Sequence, residues 1–292
     1  HIGTDVLVKV VKNLRHKIIS LGGEFRFNST LMDIDILDGK VNKAIIKNQD
    51  EIYEENVDGL ILAIGHSARD TFEMLFRKGV HIEQKAFSMG VRIEHKQEMI
   101  NKAQYGRFFD SKYLGAADYK LATHLDNGRG VYTFCMCPGG VVIPANSEEK
   151  MICVNGMSYH ARDKENSNSA LLVEVKPEDF GSVHPLAGIY FQQNYERLAY
   201  MVDNSYRAPV QLVGDFLLHK PSSEIKDVKP SYPLGYVLTD LHQILPDFVS
   251  ESLEKGILEF DRKIKGFAHK TAVMTGIETR SSSPVRLLRD DE

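Results

Sequence analysis

Residues 60–75, LILAIGHSARDTFEML, constrain the fold more than any other stretch. The unbroken apolar run from Leu60 to Ile64 has the length and composition of a strand covered on both faces. Gly65 ends it, free to take a positive φ or to admit a close neighbour, and Ser67 stands where it can cap a helix over 68–76. Such a strand-to-helix turn is either ordinary α/β architecture or the border of a ligand site.

The chain builds up to this segment. Residues 5–20 have helical periodicity, with Thr4 as cap and Val6, Val10, Leu14 and Ile18 on one face, and Gly22-Gly23 stops the helix. Three extended segments follow at 24–27, 32–37 and 41–47, the last two joined as a hairpin at Asp38-Gly39. An acidic stretch, 49–55, then leads into the apolar run. Beyond residue 86 the spacing predicts a strand at 88–95, a short helix at 97–104, and paired strands at 119–124 and 130–136. A tight turn at Pro138-Gly139-Gly140 comes next, after which strands at 141–144 and 151–156 resume the sheet. Residues 166–170 form a polar loop and 170–175 another strand. Helices are predicted at 189–201, 209–219, 241–245 and 249–260, with the proline-bearing connector 220–233 extended between them. A strand pair or crossing segment at 266–276 leads to IETRSSSPVRLLR at 277–289. The fold class expected is α+β, or mixed α/β.

The 292 residues suit one large domain or two, and 42% hydrophobic residues supply a core. A net charge of -4 without a basic patch excludes a nucleic-acid or anionic-membrane binder. No apolar run of about 18 residues and no signal peptide occurs, so a cytoplasmic protein with no membrane span is expected. The chain begins with His1 and not Met, which points to a piece of a longer protein.

Three cysteines, Cys135, Cys137 and Cys153, give neither a disulfide framework nor zinc-ligand spacing, so no metal is expected. Strand alternation would place Cys135 and Cys137 on one face, as a redox pair or as two half-buried thiols. The Pro138-Gly139-Gly140 turn either opens its amides to a flat ring or is a plain hairpin turn. Arg69 and Asp70 begin a helix whose amino terminus attracts anions, though Arg69 serves equally as a solvated residue. Arg92 and Glu94 share a strand face, either as a surface ion pair or as the lining of a substrate cleft. Glu278, Arg280, Ser282, Ser283 and Arg286 concentrate hydrogen-bonding groups beyond what structure alone requires. No Gly-x-Ser-x-Gly elbow organises a hydrolase.

The order of helix, meander, apolar strand and glycine turn resembles flavoproteins built like glutathione reductase, with Ala63-Ile64-Gly65 in place of their Ala-Thr-Gly turn. The strings HIGTD (1–5), LAIGHSARDTFEML (62–75), GVRIEH (90–95) and GRGVYTFCMCPGG (128–140) resemble the bacterial FAD-dependent dehydrogenases of uncertain substrate, the NAD(P)/FAD-dependent oxidoreductases. NGMS (155–158), RDKENSNSALLVEV (162–175) and TGIETRSSSPVR (275–286) extend the likeness over nearly the whole chain. The resemblance implies an FAD-domain remnant at 1–85, a substrate or cap domain at 86–270, and a return segment at 271–292. It implies that His1, Gly3, Thr4, Gly65, His66, Ser67, Pro138, Gly139, Gly140, Thr279 and Ser282 border FAD. Cys135, Cys137 and Arg280 become the catalytic candidates, with a small-molecule substrate and NAD(P)H as a candidate co-substrate. The family's Gly-x-Gly-x-x-Gly turn and its later glycine-rich segment are missing here, so this chain alone is expected to lack FAD. The competing expectation is a non-catalytic binding module. The flavoprotein reading requires residues 57–67 to lie in a sheet, close to the thiol loop and to the Arg280 segment.

Overall fold

The structure, a computed structural model, describes residues 2–289, and His1 lies outside them. Helix α1 (Thr4–Ser20) begins after Gly3, whose φ is 84°. Thr4 does not cap it: its hydroxyl donates to the Ser158 carbonyl at 3.3 Å. The apolar face expected to pack is uncovered, since no α1 residue is buried and Val8 is 68% exposed. Strands β1 (Ser29–Leu37), β2 (Lys40–Asn48) and β3 (Glu51–Asn56) form an antiparallel meander. The hairpin turns at Asp38-Gly39, both with positive φ as the dipeptide favours. The third strand is the acidic segment and not residues 24–27. It pairs with a lysine-bearing neighbour, where opposite charges face across the strands, as in the Lys43–Glu54 bridge at 2.7 Å.

Residues 57–65 overturn the buried-strand expectation, because they belong to no sheet. Leu60, Leu62 and Ile64 pack against Phe72, Leu75 and Ile34 on one side. On the other side nothing covers the chain, and Ile61 is 91% exposed. Inward and outward side chains alternate along the run, and one of its two faces stands open. Helix α2 (Arg69–Arg77) follows, with Ala68 and not Ser67 at its cap position. Strand β4 (Ile82–Gln84) then leads into the main sheet.

That sheet draws on β5 (Phe87–Lys96), β6 (Ala122–His124), β7 (Gly130–Cys137), β10 (Asn166–Val175), β11 (Ala208–Leu212), β12 (Tyr236–Leu238) and β13 (Val273–Glu278). Helix α3 (Gln97–Tyr105) follows β5, and β8 (Gly140–Pro144) with β9 (Val154–Ser158) forms a separate hairpin between β7 and β10. Helix α4 (Ala187–Met201) precedes β11, the single turn α5 (Val213–Phe216) follows it, and α6 (Asp247–Lys263) precedes β13. Strand β14 (Val285–Leu287) pairs back with β4. The seven strands run in the order β12-β11-β13-β5-β10-β7-β6, antiparallel except for β11 with β12. Strands and helices thus form an α+β fold around one mixed sheet.

Alternation along β5 divides the sheet into two unlike faces. Met89, Val91 and Ile93 join Leu171, Val173 and Val131 in the main core, against which α6 lays Val249, Leu253, Ile257 and Phe260. The opposite face carries Arg92, Glu94 and Asn168, all fully buried. Two corrections follow from long-range pairing. Residues 166–170, expected as a polar loop, begin β10, because each residue pairs with β5 and the polar side chains meet Arg92 and Glu94. Residues 208–212, expected as helix, are a strand beside β13, and the hairpin β8–β9 stays outside the seven-stranded sheet.

Candidate functional site

Glu278, Thr279 and Arg280 leave β13 in succession, and all three are buried. Charged groups so placed must find opposite charge or hydrogen bonds within the protein. Arg280 finds Glu196 of α4, Nε donating to Oε1 at 2.9 Å and Nη2 to Oε2 at 2.6 Å. Arg69, the first residue of α2, takes the same carboxylate at 3.0 and 2.8 Å. The Thr279 hydroxyl donates to Glu196 Oε1 at 2.5 Å. Gln192, one turn earlier on α4, accepts from Arg69 at 3.0 Å and donates to the Thr279 carbonyl at 2.7 Å. Glu148 closes the group, hydrogen-bonded to Arg69 and 3.7 Å from Arg280. Burial alone would raise the Glu196 carboxyl, but hydrogen bonds from Arg280 and Arg69 outweigh it and hold the group below the usual range.

A second group forms around Arg92. Its Nη1 donates to Glu278 Oε2 at 3.2 Å, Nε and Nη2 to Asn168 Oδ1 at 3.1 and 2.6 Å, and Nη2 to the Cys135 carbonyl at 2.9 Å. Gly156 of β9 lies over the guanidinium, and a Cβ there would stand 2.2 Å from Arg92 Nη2, so glycine is required. Arg92 and Glu94 are therefore not a surface pair. Glu278 has a single cation, and burial pushes its carboxyl above the usual range with Arg92 opposing. Glu94 is raised by burial too, although the Ser231 amide and Asn166 Nδ2 both donate to it at 3.1 Å. The two groups flank one segment, so residues 278–280 join a carboxylate shifted down by two guanidiniums on one side to carboxyls shifted up by burial on the other.

The thiols do not share a face. Two residues of β7, Cys135 and Met136, stand opposite Ser169 alone, and this bulge puts Cys135 at a φ of 42°. It leaves Cys135 exposed and Cys137 buried, with the Cys137 thiol donating to the Cys135 carbonyl at 3.2 Å. Burial raises both thiols above the usual value, and it raises buried Cys153 to about 11. No disulfide joins them. The glycine turn is also closed. The Gly139 amide donates to Gln97 Oε1 at 2.7 Å, and a Cβ on Gly139 or Gly140 would meet the backbone of Arg162 at 1.9 Å or Met157 at 2.3 Å. This chain's own backbone makes the close approach that was expected of a flat ring.

Gly3, Thr4 and Pro138 meet at the end of β9. A Cβ on Gly3 would lie 2.2 Å from the His160 nitrogen, Thr4 bonds the Ser158 carbonyl, and the Ser158 hydroxyl donates to the Pro138 carbonyl at 2.9 Å. Gly65 stands elsewhere, with a φ of 66° and open space where a side chain would be. Beside it, burial and then the charges of Arg280, Arg69 and Lys85 lower the imidazole of His66 below its usual value. Of the 57–67 segment, then, the turn does reach the Arg280 group although the run before it joins no sheet. Ser67 is half-buried next to His66. Ser282 lines a cavity of about 440 Å³ with Ser88, Thr123, His124, Tyr132 and Glu174.

Arg280, a catalytic candidate, has both its nitrogen faces committed, to Glu196 and to Ser147. Glu196, Gln192, Glu148 and Asn168 were missed. A signal for two of them exists: Ile189, Gln192, Glu196 and Ala199 fall on one helical stripe, and all four are buried. No helix among the described residues is long and apolar enough to cross a membrane.

Residues 86–281 match the family described as FAD-dependent protein, C-terminal domain-like. An uncharacterized protein of Clostridium beijerinckii is 52% identical over 292 residues, covering 99% of this chain and 54% of that protein. The chain thus spans about half the length of the relative it matches.

Proposed function

From the premise that the chain belongs to the FAD-dependent protein, C-terminal domain-like family, we propose that it supplies the substrate-facing part of an FAD-dependent oxidoreductase. The observation that carries this reading is the open turn at Gly65–His66–Ser67, set against the Arg280 group. There a backbone without a Cβ faces free space, and burial first, then the charges of Arg280, Arg69 and Lys85, disfavour the charged form of the half-buried imidazole. A flat, electron-accepting ring fits such a border, because a neutral imidazole and peptide groups can hydrogen-bond to its edge. The pyrophosphate is another matter. Arg69 and Arg280 are consumed by Glu196, so neither is free to hold phosphate, and that part of FAD needs residues from elsewhere in the longer protein.

FAD supplies hydride or electron transfer when bound. This chain's residues position and tune: in this reading His66 and Ser67 border the ring, and the 440 Å³ cavity that Ser282 lines receives the substrate. NAD(P)H is the reductant in this reading, and the rest of the fold follows the glutathione-reductase-like class. The test uses a protein of the relative's full length. A yellow product whose flavin absorbance is bleached by NADH or NADPH supports the reading, and His66→Ala should shift the flavin spectrum. A colourless full-length protein would favour a non-catalytic binding module derived from a flavoprotein.

A further inference from the structure

Away from both arginine groups, three segments bring two histidines and two carboxylates together. His219 follows α5 at the start of the proline-bearing connector, Asp240 and His242 end that connector after β12, and Glu254 lies on α6. His219 Nε2 and His242 Nε2 both converge on Glu254 Oε1, at 3.2 and 2.9 Å, and the three ligand atoms lie within 4.8 Å of one another. On the far side of its ring, His242 Nδ1 lies 2.8 Å from Asp240 Oδ1, and Phe216 stacks on the ring at 4.3 Å.

A neutral imidazole carries one donor and one acceptor, so neutral His242 can satisfy the Asp240 oxygen or the Glu254 oxygen, while only a proton or a metal ion on the second ring nitrogen lets it serve both. The main-chain amide of His242 also donates to Asp240 Oδ1, at 3.1 Å, which orients that carboxylate toward Nδ1. With Nδ1–H given to Asp240, the Nε2 lone pair points at Glu254, where a cation between them would turn a repulsive contact into two bonds. A carboxylate behind a histidine whose other nitrogen faces a metal is the recurrent supporting arrangement of zinc sites.

We propose that His219, His242 and Glu254 form a site for a divalent transition metal of the zinc class, with Asp240 orienting His242. Two imidazoles and one carboxylate suit such an ion, water completing a tetrahedron. Metal–ligand bonds of about 2.0–2.2 Å require ligand atoms about 3.3 Å apart. The two nitrogen-to-oxygen distances of 2.9 and 3.2 Å are close to that, and because the two imidazoles stack at 4.6 Å, the exposed His219 ring must turn to aim its Nε2 at the shared ion. The metal would fasten both ends of the connector to α6. Nothing in the sequence spacing announces the site, because its ligands come from separate segments.

The test is zinc and cobalt titration of the untagged 292-residue chain, with cobalt absorbance, calorimetry and thermal unfolding as readouts. One equivalent of zinc should raise Tm, and cobalt should give the visible bands of a tetrahedral nitrogen and oxygen site. His219→Ala, at an exposed position, should keep the metal-free Tm and weaken binding at least tenfold. Asp240→Asn should weaken it by about 10- to 100-fold. Zinc affinity unchanged in His219→Ala, or no uptake by the wild-type chain beyond that of a His219→Ala/His242→Ala double variant, would overturn the proposal.

Discussion

Glu196 and Glu278 are both buried, stand on either side of one segment, and end in opposite states. Glu196 gathers two guanidiniums and a hydroxyl and is held ionised, whereas Glu278 has the single cation Arg92, which Asn168 and the Cys135 carbonyl also draw on. Burial acts on both in the same direction, so the number of donors per carboxylate decides the direction in which each is shifted.

The largest effect should come from the fully met carboxylate. Glu196→Gln leaves two buried guanidiniums with only the partly exposed Glu148 as countercharge and should cost about 3–5 kcal/mol, read from urea unfolding. A loss below about 1 kcal/mol would break the comparison.

The two sites should next part in their pH dependence, each with a slope of at most about 1.4 kcal/mol per pH unit. The folded-state value of Glu196 lies below its unfolded value, so its stabilisation is present above the unfolded value and disappears as pH falls through the folded one. The folded-state value of Glu278 lies above its unfolded value, so its contribution is full below the unfolded value and is lost as pH rises through the folded one. On acidification the deficit of Glu196→Gln should therefore shrink while that of Glu278→Gln grows. Unfolding curves at several pH values would check this, and parallel slopes would refute it.

Near pH 7, Glu278→Gln should itself cost about 1 kcal/mol, since the substitution resembles the protonated acid that burial already favours. The smallest effect belongs to α1, where nothing covers the helix: Val8→Lys should change stability by less than about 0.5 kcal/mol. A larger loss there would mean that the helix face is packed in solution.

Much of the framework was legible in the sequence because it rests on local signals. The Asp38-Gly39 hairpin, the alternation of β5 and the stripe of α4 each follow from a dipeptide or a period. What failed was decided across the chain. Asn166 to Ser169 are loop-like by composition, and only Arg92 and Glu94 on the neighbouring strand make them a buried strand. Residues 208–212 look helical until β13 lies beside them. In the site, the sequence located Arg280 and the two thiols, but not that Glu196 neutralises the first or that a bulge separates the others. Such partners are set by tertiary pairing, which no local pattern encodes.

Among the described residues, the main chain of 58–64 makes no hydrogen bond, and its outer side faces solvent. Amides in such a stretch should take up deuterium within seconds and slow sharply once another strand is laid alongside. This bare ribbon is thus a built-in gauge: mass spectrometry of one peptide can report whether any strand pairs along it.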